Sequence, residues 1–143
     1  MSLYLDASVL LPRLVEEPES DIVRAYLIAN TEELLISAFA AAEVASGLSR
    51  LVRMGLISGA EADLCLSDFE IWRAATASPV DVHAADARLT YAYVRRFDLM
   101  LRAPDALHLA IAQRIGATLV TFDRRLARAA GELGVPVAEL ARA

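Results

Sequence analysis

The sequence contains no lysine, and all fourteen of its basic residues are arginines. This absence excludes a response-regulator receiver domain, a small α/β domain that needs a lysine beside its phosphate-accepting aspartate. Cysteine is almost absent as well, because Cys65 is the only one and no intrachain disulfide can form. A single cysteine also makes a zinc–thiolate site unexpected and fits a reducing compartment, so we expect a cytoplasmic protein.

The chain also lacks a membrane segment and an excess of positive charge. No stretch reaches the length of a membrane span without a charged residue, and no basic region precedes an apolar run at the N-terminus. The net charge of −5 argues against a broad surface that coats nucleic acid nonspecifically. It does not exclude a nuclease, because an acidic metal site itself contributes negative charge.

The 143 residues fit one domain, 1–143, and segments typical of strands alternate with segments typical of helices. This alternation predicts an α/β fold with a mostly parallel sheet. Pro79 places the third strand at an edge of that sheet. The predicted strands are 2–5, 34–36, 78–82, 117–122 and 135–137. The predicted helices are 7–15, 19–30, 38–54, 59–75, 84–97, 104–115 and 124–133, with a connecting loop at 98–103.

The stretch from Arg102 to Asp123 reads as helix, turn and strand, with an acidic residue near each end. Pro104 suits the first helical position, and the charge of Asp105 in the first turn interacts favourably with the helix dipole. Gly116 is typical of the residue that ends a helix. Since ligands bind at the carboxyl ends of strands in α/β sheets, the Asp123 end of this stretch marks the candidate site.

Two further acids belong to this candidate site. Asp6 ends the first strand. Considered alone, Asp6 is better explained as a helix N-cap, and Asp123 is explained equally well as one. Asp105 alone can be explained as a first-turn residue. Glu43 resists such an explanation, because nearly all its helical neighbours are apolar. A carboxylate in such surroundings is costly unless it is paired or bound to a metal. We therefore favour a functional role for Glu43.

One edge of the sheet can collect all four carboxylates, which would then repel one another and raise each other's pKa. A hard divalent cation resolves this repulsion, and oxygen ligands without clustered His or Cys favour Mg²⁺ or Mn²⁺. We assign Asp6, Asp105 and Asp123 to metal binding. Glu43 either binds metal or orients a water molecule that the metal activates as a nucleophile. One metal ion or two would both be consistent with these residues.

Three segments together resemble the motifs of the PIN-domain nucleases, and most closely those of the VapC toxins of toxin–antitoxin pairs. The segments are LYLDASVLL, SAFAAAEVASGLSRL and PDALHLAIAQRIGATLVTFDRRL, and the resemblance runs from Leu3 to about Val137. It implies a Rossmann-like, three-layer α/β/α fold and a Mg²⁺- or Mn²⁺-dependent endoribonuclease that cleaves RNA. It also implies a homodimer and a cognate, VapB-like antitoxin. The family's acidic quartet matches Asp6, Glu43, Asp105 and Asp123.

The resemblance extends to two hydroxyl residues beside the acids. Ser8 matches the small hydroxyl residue two places after the first acid, and Thr121 matches the threonine of the T-x-D motif. We expect both to support the acids by hydrogen bonding. The alternative is a catalytically degenerate PIN-like domain that only binds a partner, and the presence of all four acids counts against it. A haloacid-dehalogenase-type phosphatase is excluded, because it needs D-x-D where this chain has Asp6-Ala7-Ser8.

The remaining candidates have a structural explanation that is as good or better. Arg95, Arg96 and Arg102 could hold RNA phosphates, but each is explained equally well as a solvated helix end. His108, one turn past Asp105, could face the site, but a packed or partly exposed helix residue is the favoured explanation. Helix packing rather than base stacking is favoured for the aromatic residues Phe69, Trp72, Tyr91 and Tyr93. Two other acids, Asp86 and Asp98, are expected to be solvated or to cap a helix.

Overall fold

The computed structural model describes residues 1–141. Its strands are β1 (Ser2–Leu5), β2 (Glu33–Ser37), β3 (Ala77–Val80), β4 (Thr118–Thr121) and β5 (Val137–Glu139). They form one sheet in the order β3-β2-β1-β4-β5, and every neighbouring pair is parallel. The parallel sheet predicted from the sequence is therefore confirmed. The proline-containing strand lies at an edge, also as predicted.

Helices cover both faces of the sheet. They are α1 (Ala7–Leu14), α2 (Ser20–Ala29), α3 (Ala38–Arg53), α4 (Gly59–Thr76), α5 (Ala84–Val94), α6 (Ala103–Ile115) and α7 (Arg124–Glu132). Side chains alternate along β1, so that Leu3 and Leu5 pack against α1 to α4 whereas Tyr4 packs against α6 and α7. Two apolar cores result, one on each face, and the predicted three-layer α/β/α architecture is confirmed. Within residues 1–141, no helix combines the length and apolarity that a membrane span requires.

The ends of the helices follow local sequence signals. Ser37 caps α3 by accepting a hydrogen bond from the Ala40 N–H at 2.9 Å. Ser58 and Glu61 form a capping box at the start of α4, each accepting from the backbone N–H of the other. Gly116 ends α6 with a φ of 65°, a left-handed conformation that suits glycine. These caps fix where each helix begins or ends relative to the sheet.

Several predicted boundaries were wrong, among them that of the third strand, which ends at Val80 instead of residue 82. The helix predicted to reach residue 97 ends at Val94, and a 3₁₀ turn, Phe97–Leu99, occupies part of the predicted loop. The last strand pairs over Val137–Glu139 instead of 135–137, because the Val135 N–H bonds the Ala130 carbonyl 2.9 Å away and completes the end of α7. The fourth strand is shorter than predicted by two residues, since only Thr118–Thr121 is paired as strand.

Asp86 was predicted to be solvated or capping, and only the second half of that prediction holds. Its carboxylate accepts a hydrogen bond from the His83 N–H at 2.8 Å, which caps α5. The residue is 1% exposed, because Arg114 on α6 donates to both carboxylate oxygens at 2.7 and 3.0 Å. Asp86 is therefore a buried link between α5 and α6, and the pairing with Arg114 replaces the water that a solvated acid would contact.

Candidate active site

The acids predicted from the sequence lie at the carboxyl edge of the sheet. β1 and β4 are neighbours in the sheet, so Asp6 after β1 and Asp123 after β4 come to the same edge. Asp105 lies in the first turn of α6, and Glu43 lies on α3, which follows β2. Glu43, Asp105 and Asp123 line one open cleft of about 710 Å³.

Asp6 lies next to this cleft but is 4% exposed, and protein groups hold both of its carboxylate oxygens. Oδ1 accepts from the Ser8 hydroxyl at 2.6 Å and from the Val9 N–H at 3.3 Å, and Oδ2 accepts from the Thr121 hydroxyl at 2.6 Å. A carboxylate has about four acceptor sites, so one site on Oδ2 is left for a ligand. Burial raises the pKa of Asp6, and these hydrogen bonds partly offset the increase.

Ser8 and Thr121 connect Asp6 to the end of β4. The Phe122 N–H donates to the Ser8 oxygen at 3.0 Å, and the Asp123 N–H donates to the Thr121 oxygen at 3.0 Å. Each hydroxyl oxygen thus accepts a hydrogen bond from the backbone, and each hydroxyl donates a hydrogen bond to the Asp6 carboxylate. The structure places both residues beside the first acid, where the sequence analysis expected hydrogen-bonding groups.

Ionisation of Asp105 is unfavourable in this cleft. Burial raises its pKa most, followed by the negative charge of Asp123, with smaller contributions from Glu43 and Asp6. Within residues 1–141, no hydrogen bond or ion pair to its carboxylate is found. A half-buried carboxylate with three like charges and no direct partner is suited to receive a cation.

Asp123 serves the fold and the cleft at the same time. Its Oδ1 caps α7 by accepting from the N–H groups of Arg125 and Leu126 at 2.9 and 3.0 Å. The side chain also lines the cleft together with Asp105. The capping role and the functional role that the sequence suggested for this residue are therefore compatible.

Glu43 contacts His108, for which the sequence analysis favoured a packing role over a place at the site. His108 is buried as expected, with 2% of its surface exposed, but its Nε2 also forms a short hydrogen bond with Glu43 Oε1. Its Nδ1 lies 2.6 Å from the hydroxyl oxygen of Tyr4. The available signal was spacing, because residues three apart share a helix face and Asp105 stands three before His108. The same spacing is typical of core packing, and for that reason it did not single out this residue.

The arginines at the cleft are only partly those expected. Arg102 lines the cleft, whereas Arg96 pairs with Asp98 at 2.7 Å and Arg95 lies over the Tyr91 ring at 5.6 Å. The structure therefore does not bring Arg95 and Arg96 to the acids. Two other exposed arginines line the cleft and were missed, although they directly follow Asp123 in the sequence. They are Arg124 and Arg125.

The chain resembles known proteins in sequence and in fold. Residues 3–132 match the PIN domain family. The chain belongs to the PIN-domain family. It is 35% identical over 139 residues to Ribonuclease VapC46 of Mycobacterium tuberculosis, an alignment that covers 95% of each chain. The resemblance to VapC proteins noted in the sequence is therefore confirmed.

Solved structures show the same fold. The sarcin-ricin loop cleaving toxin VapC20 of Mycobacterium tuberculosis superposes with a TM-score of 0.72 at 15% identity, covering 89% of this PIN domain and 94% of that chain. VapBC2 from Rickettsia felis, bound to a DNA fragment from its promoter, gives a TM-score of 0.67 at 17% identity and covers 97% and 98%. At these identities the likeness establishes the fold alone.

The donor chemistry of this PIN domain fits a hard divalent cation, although the side chains do not form a ready-made ligand set. The cleft offers carboxylate oxygens, the ligands that Mg²⁺ and Mn²⁺ prefer. In the part of the chain that the structure describes, no group of three or more His, Cys, Asp or Glu side chains is arranged to hold a metal ion. Asp105 and Asp123 would therefore have to turn towards a bound cation, as side chains at an open cleft can.

Proposed function

We propose that this PIN domain is a Mg²⁺- or Mn²⁺-dependent endoribonuclease that acts as the toxin of a toxin–antitoxin pair. The observation that carries the proposal is the state of Asp105, which is half-buried, lacks a direct partner and is repelled by three other acids. Such a cluster is unfavourable without a counter-charge and favourable with a divalent cation. The name of the relative VapC46, a ribonuclease, supports RNA as the substrate.

Asp6, Asp105 and Asp123 would hold the cation, with Glu43 as a fourth ligand or as the group that orients the attacking water. Asp6 would contribute through Oδ2, the oxygen that accepts a single hydrogen bond. A bound Mg²⁺ or Mn²⁺ would lower the pKa of a coordinated water and would neutralise negative charge that develops on the phosphodiester. Ser8 and Thr121 keep the Asp6 carboxylate in one orientation, so that this ligand is preorganised.

The arginines at the rim would bind the RNA backbone. Arg102, Arg124 and Arg125 line the same cleft as the acids, and a guanidinium group can hold a phosphate through two parallel hydrogen bonds. Their positive charges would also attract a polyanion that the acidic cleft alone repels. Arg95 and Arg96, the other candidates from the sequence, remain available only for contacts farther along a strand of RNA.

The proposed partner is an antitoxin protein, as in the VapBC2 complex from Rickettsia felis. An antitoxin arginine could pair with Glu43 or Asp105 in the cleft and compete with metal or substrate. Apolar side chains on α2 and α4 are available for an amphipathic antitoxin helix or for a homodimer contact, since Ile28 is 85% exposed and Leu64 is 67% exposed. Phe69 on α4 is buried in the core and does not contribute to this surface.

Cleavage by single-acid variants tests the proposed activity. We expect Asp6→Asn and Asp105→Asn to retain the fold and to lose RNA cleavage in Mg²⁺ or Mn²⁺, because a neutral amide is a weaker metal ligand of the same size. Asp63→Asn, at an exposed acid on α4, is the matched control and should cleave as the wild type does. A folded Asp6→Asn variant with wild-type rates would refute the site. A wild-type protein that binds the antitoxin but never cleaves RNA would instead favour the degenerate binding module.

A further inference from the structure

A chain of buried hydrogen bonds runs from the N-cap of α3 through the sheet to the cleft. The Ser37 and Tyr4 hydroxyl oxygens are 2.7 Å apart, Tyr4 Oη lies 2.6 Å from His108 Nδ1, and His108 Nε2 bonds Glu43. Ser37 and Tyr4 are fully buried, and His108 is 2% exposed. Its members come from β1, β2, α6 and α3, so the chain joins four elements that meet behind the site.

Counting protons gives this chain a direction. The Ala40 N–H donates to Ser37 Oγ at 2.9 Å, which leaves the single Ser37 proton to donate to Tyr4. Tyr4 Oη accepts that bond and donates its own proton to His108 Nδ1. A neutral imidazole with its acceptor used at Nδ1 carries its proton on Nε2, and that proton donates to Glu43. Every group in the chain is then satisfied and every proton is used once.

The opposite direction requires one proton more than this count supplies. If Tyr4 donated to Ser37, His108 would need a proton on Nδ1 to donate to Tyr4, and the bond to Glu43 would need a further proton on Nε2 or on the carboxyl group. The ring centres of Phe39 and Tyr4 lie 5.2 and 5.6 Å from that of His108, and water has almost no access to the imidazole. The direction towards Glu43 satisfies every group in these dry surroundings without the extra proton, so it is the favoured one.

We infer that His108 is a positioning residue, held by Ser37 and Tyr4, whose Nε2–H fixes the Glu43 carboxylate at the cleft. The inference rests on the proposed function for the role of Glu43, whereas the direction of the chain rests on the hydrogen-bond distances and the proton count. Glu43 is the one acid of the cleft without a helix N-terminus or a hydroxyl to orient it, and 31% of its side chain is exposed. Without His108 the carboxylate would be free to adopt other rotamers.

Nitrogen-15 NMR of the metal-free protein tests the direction. The chain has two histidines, and His83 lies at an exposed position. In a His83→Gln variant the only imidazole signals are therefore those of His108. We expect Nδ1 of His108 to be unprotonated and Nε2 to carry the proton. Replacing Tyr4 with phenylalanine should shift the Nδ1 resonance, because the hydroxyl donor is lost. A His108 ring without a proton on Nε2 would overturn the inference, because it could not donate to Glu43.

Steady-state cleavage tests the positioning role. We expect His108→Leu and Tyr4→Phe to lower kcat by about tenfold to a hundredfold with little change in KM, the usual cost of misplacing a group by about 1 Å. Glutamine can present an amide N–H near the position of Nε2, so His108→Gln should recover most of the rate lost in His108→Leu. Tyr93→Phe, at a half-buried tyrosine on α5, is the control for Tyr4→Phe and should leave kcat unchanged.

The two experiments separate the possible failures. Equal rates for His108→Gln and His108→Leu would reduce His108 to a packing residue, and an unchanged kcat in a folded Tyr4→Phe variant would overturn the role of the chain. If His108→Leu fails to fold, Tyr4→Phe and the NMR tautomer still decide the inference. A wild-type protein that cleaves no RNA would refute the proposed function, and the NMR result would then decide the direction of the hydrogen bonds independently.

Discussion

Replacing Asp105 with asparagine should stabilise the metal-free protein at neutral pH. Burial and the charges of Asp123, Glu43 and Asp6 disfavour the ionised Asp105 side chain, and the substitution removes that cost. Since water still screens a half-exposed carboxylate, we set the gain at about 1.5 kcal/mol. The lost interaction with the dipole of α6 opposes it by about 0.5 kcal/mol. The net gain of about 1 kcal/mol corresponds to a rise in Tm of about 3 °C.

The gain should depend on pH in a defined direction. Asp105 has a folded-state pKa above its ordinary value of 3.8, so the folded protein binds this proton more tightly than the unfolded chain does. Its contribution to wild-type stability is fully present below the ordinary value and is lost as pH rises through the folded-state pKa. The asparagine variant has no such loss. The difference in Tm should therefore be small near about pH 4 and largest above the raised pKa.

Calorimetric melting of both proteins, with and without Mn²⁺, measures these effects. Asp21→Asn is the control, because Asp21 is a first-turn acid of α2 that pairs with Arg24 at 3.1 Å and lies away from the cleft. It should not raise the Tm. Mn²⁺ should stabilise the wild type by mass action and Asp105→Asn less. A lower Tm for Asp105→Asn at neutral pH, as expected when an exposed helix acid is removed, would contradict this prediction. A wild-type Tm that does not change in millimolar Mn²⁺ would contradict the metal site.

Three further predictions concern the reaction and its control. Direct attack of water on phosphorus should leave 5′-phosphate and 3′-hydroxyl ends, so end-labelling that reveals 2′,3′-cyclic phosphate would contradict the mechanism. Arg124→Ala should weaken RNA binding several-fold and flatten its salt dependence, whereas Arg95→Ala, outside the cleft, should change both less; equal effects would argue against the cleft as the RNA site. Co-expression with the protein encoded by a neighbouring gene, the expected antitoxin, should give an inactive hetero-complex. Mutating the arginine of that protein that enters the cleft should restore cleavage with little loss of binding. If the neighbouring gene's protein neither binds nor inhibits this PIN domain, the toxin–antitoxin role is excluded.

The order of strands and helices was predictable because each element carries its own local signal. Ser37, the Ser58–Glu61 box and Gly116 mark helix ends through hydrogen bonds that form within a few residues. The errors arose where a distant or backbone contact decides the structure. Val135 joins the end of α7 instead of the last strand, and Asp86 is buried because Arg114, twenty-eight residues later, reaches it. Side-chain composition near these positions gives no sign of either contact.

The candidate site was likewise predictable from the sequence in part. The acids could be placed together because strand ends of a parallel sheet share an edge, a rule that needs only the order of elements. Hydroxyl partners such as Ser8 lie two residues from the acid that they support, so a local pattern also reveals them. His108 reaches Glu43 across sixty-five residues of sequence, and Tyr4 reaches His108 across one hundred and four. Such contacts depend on how α3 and α6 pack, which the sequence pattern does not specify.

The positions of the acids explain how the metal-free fold tolerates them. Asp6 caps α1, Asp105 lies in the first turn of α6 and Asp123 caps α7, so the positive ends of three helices point towards the cleft. Each helix N-terminus stabilises a nearby anion by about 0.3–1 kcal/mol, which offsets part of the repulsion among the carboxylates. Glu43 lies in the second turn of α3 and receives no such help. The hydrogen bond from His108 replaces it, and for that reason the loss of this imidazole should affect Glu43 more than it affects the other acids.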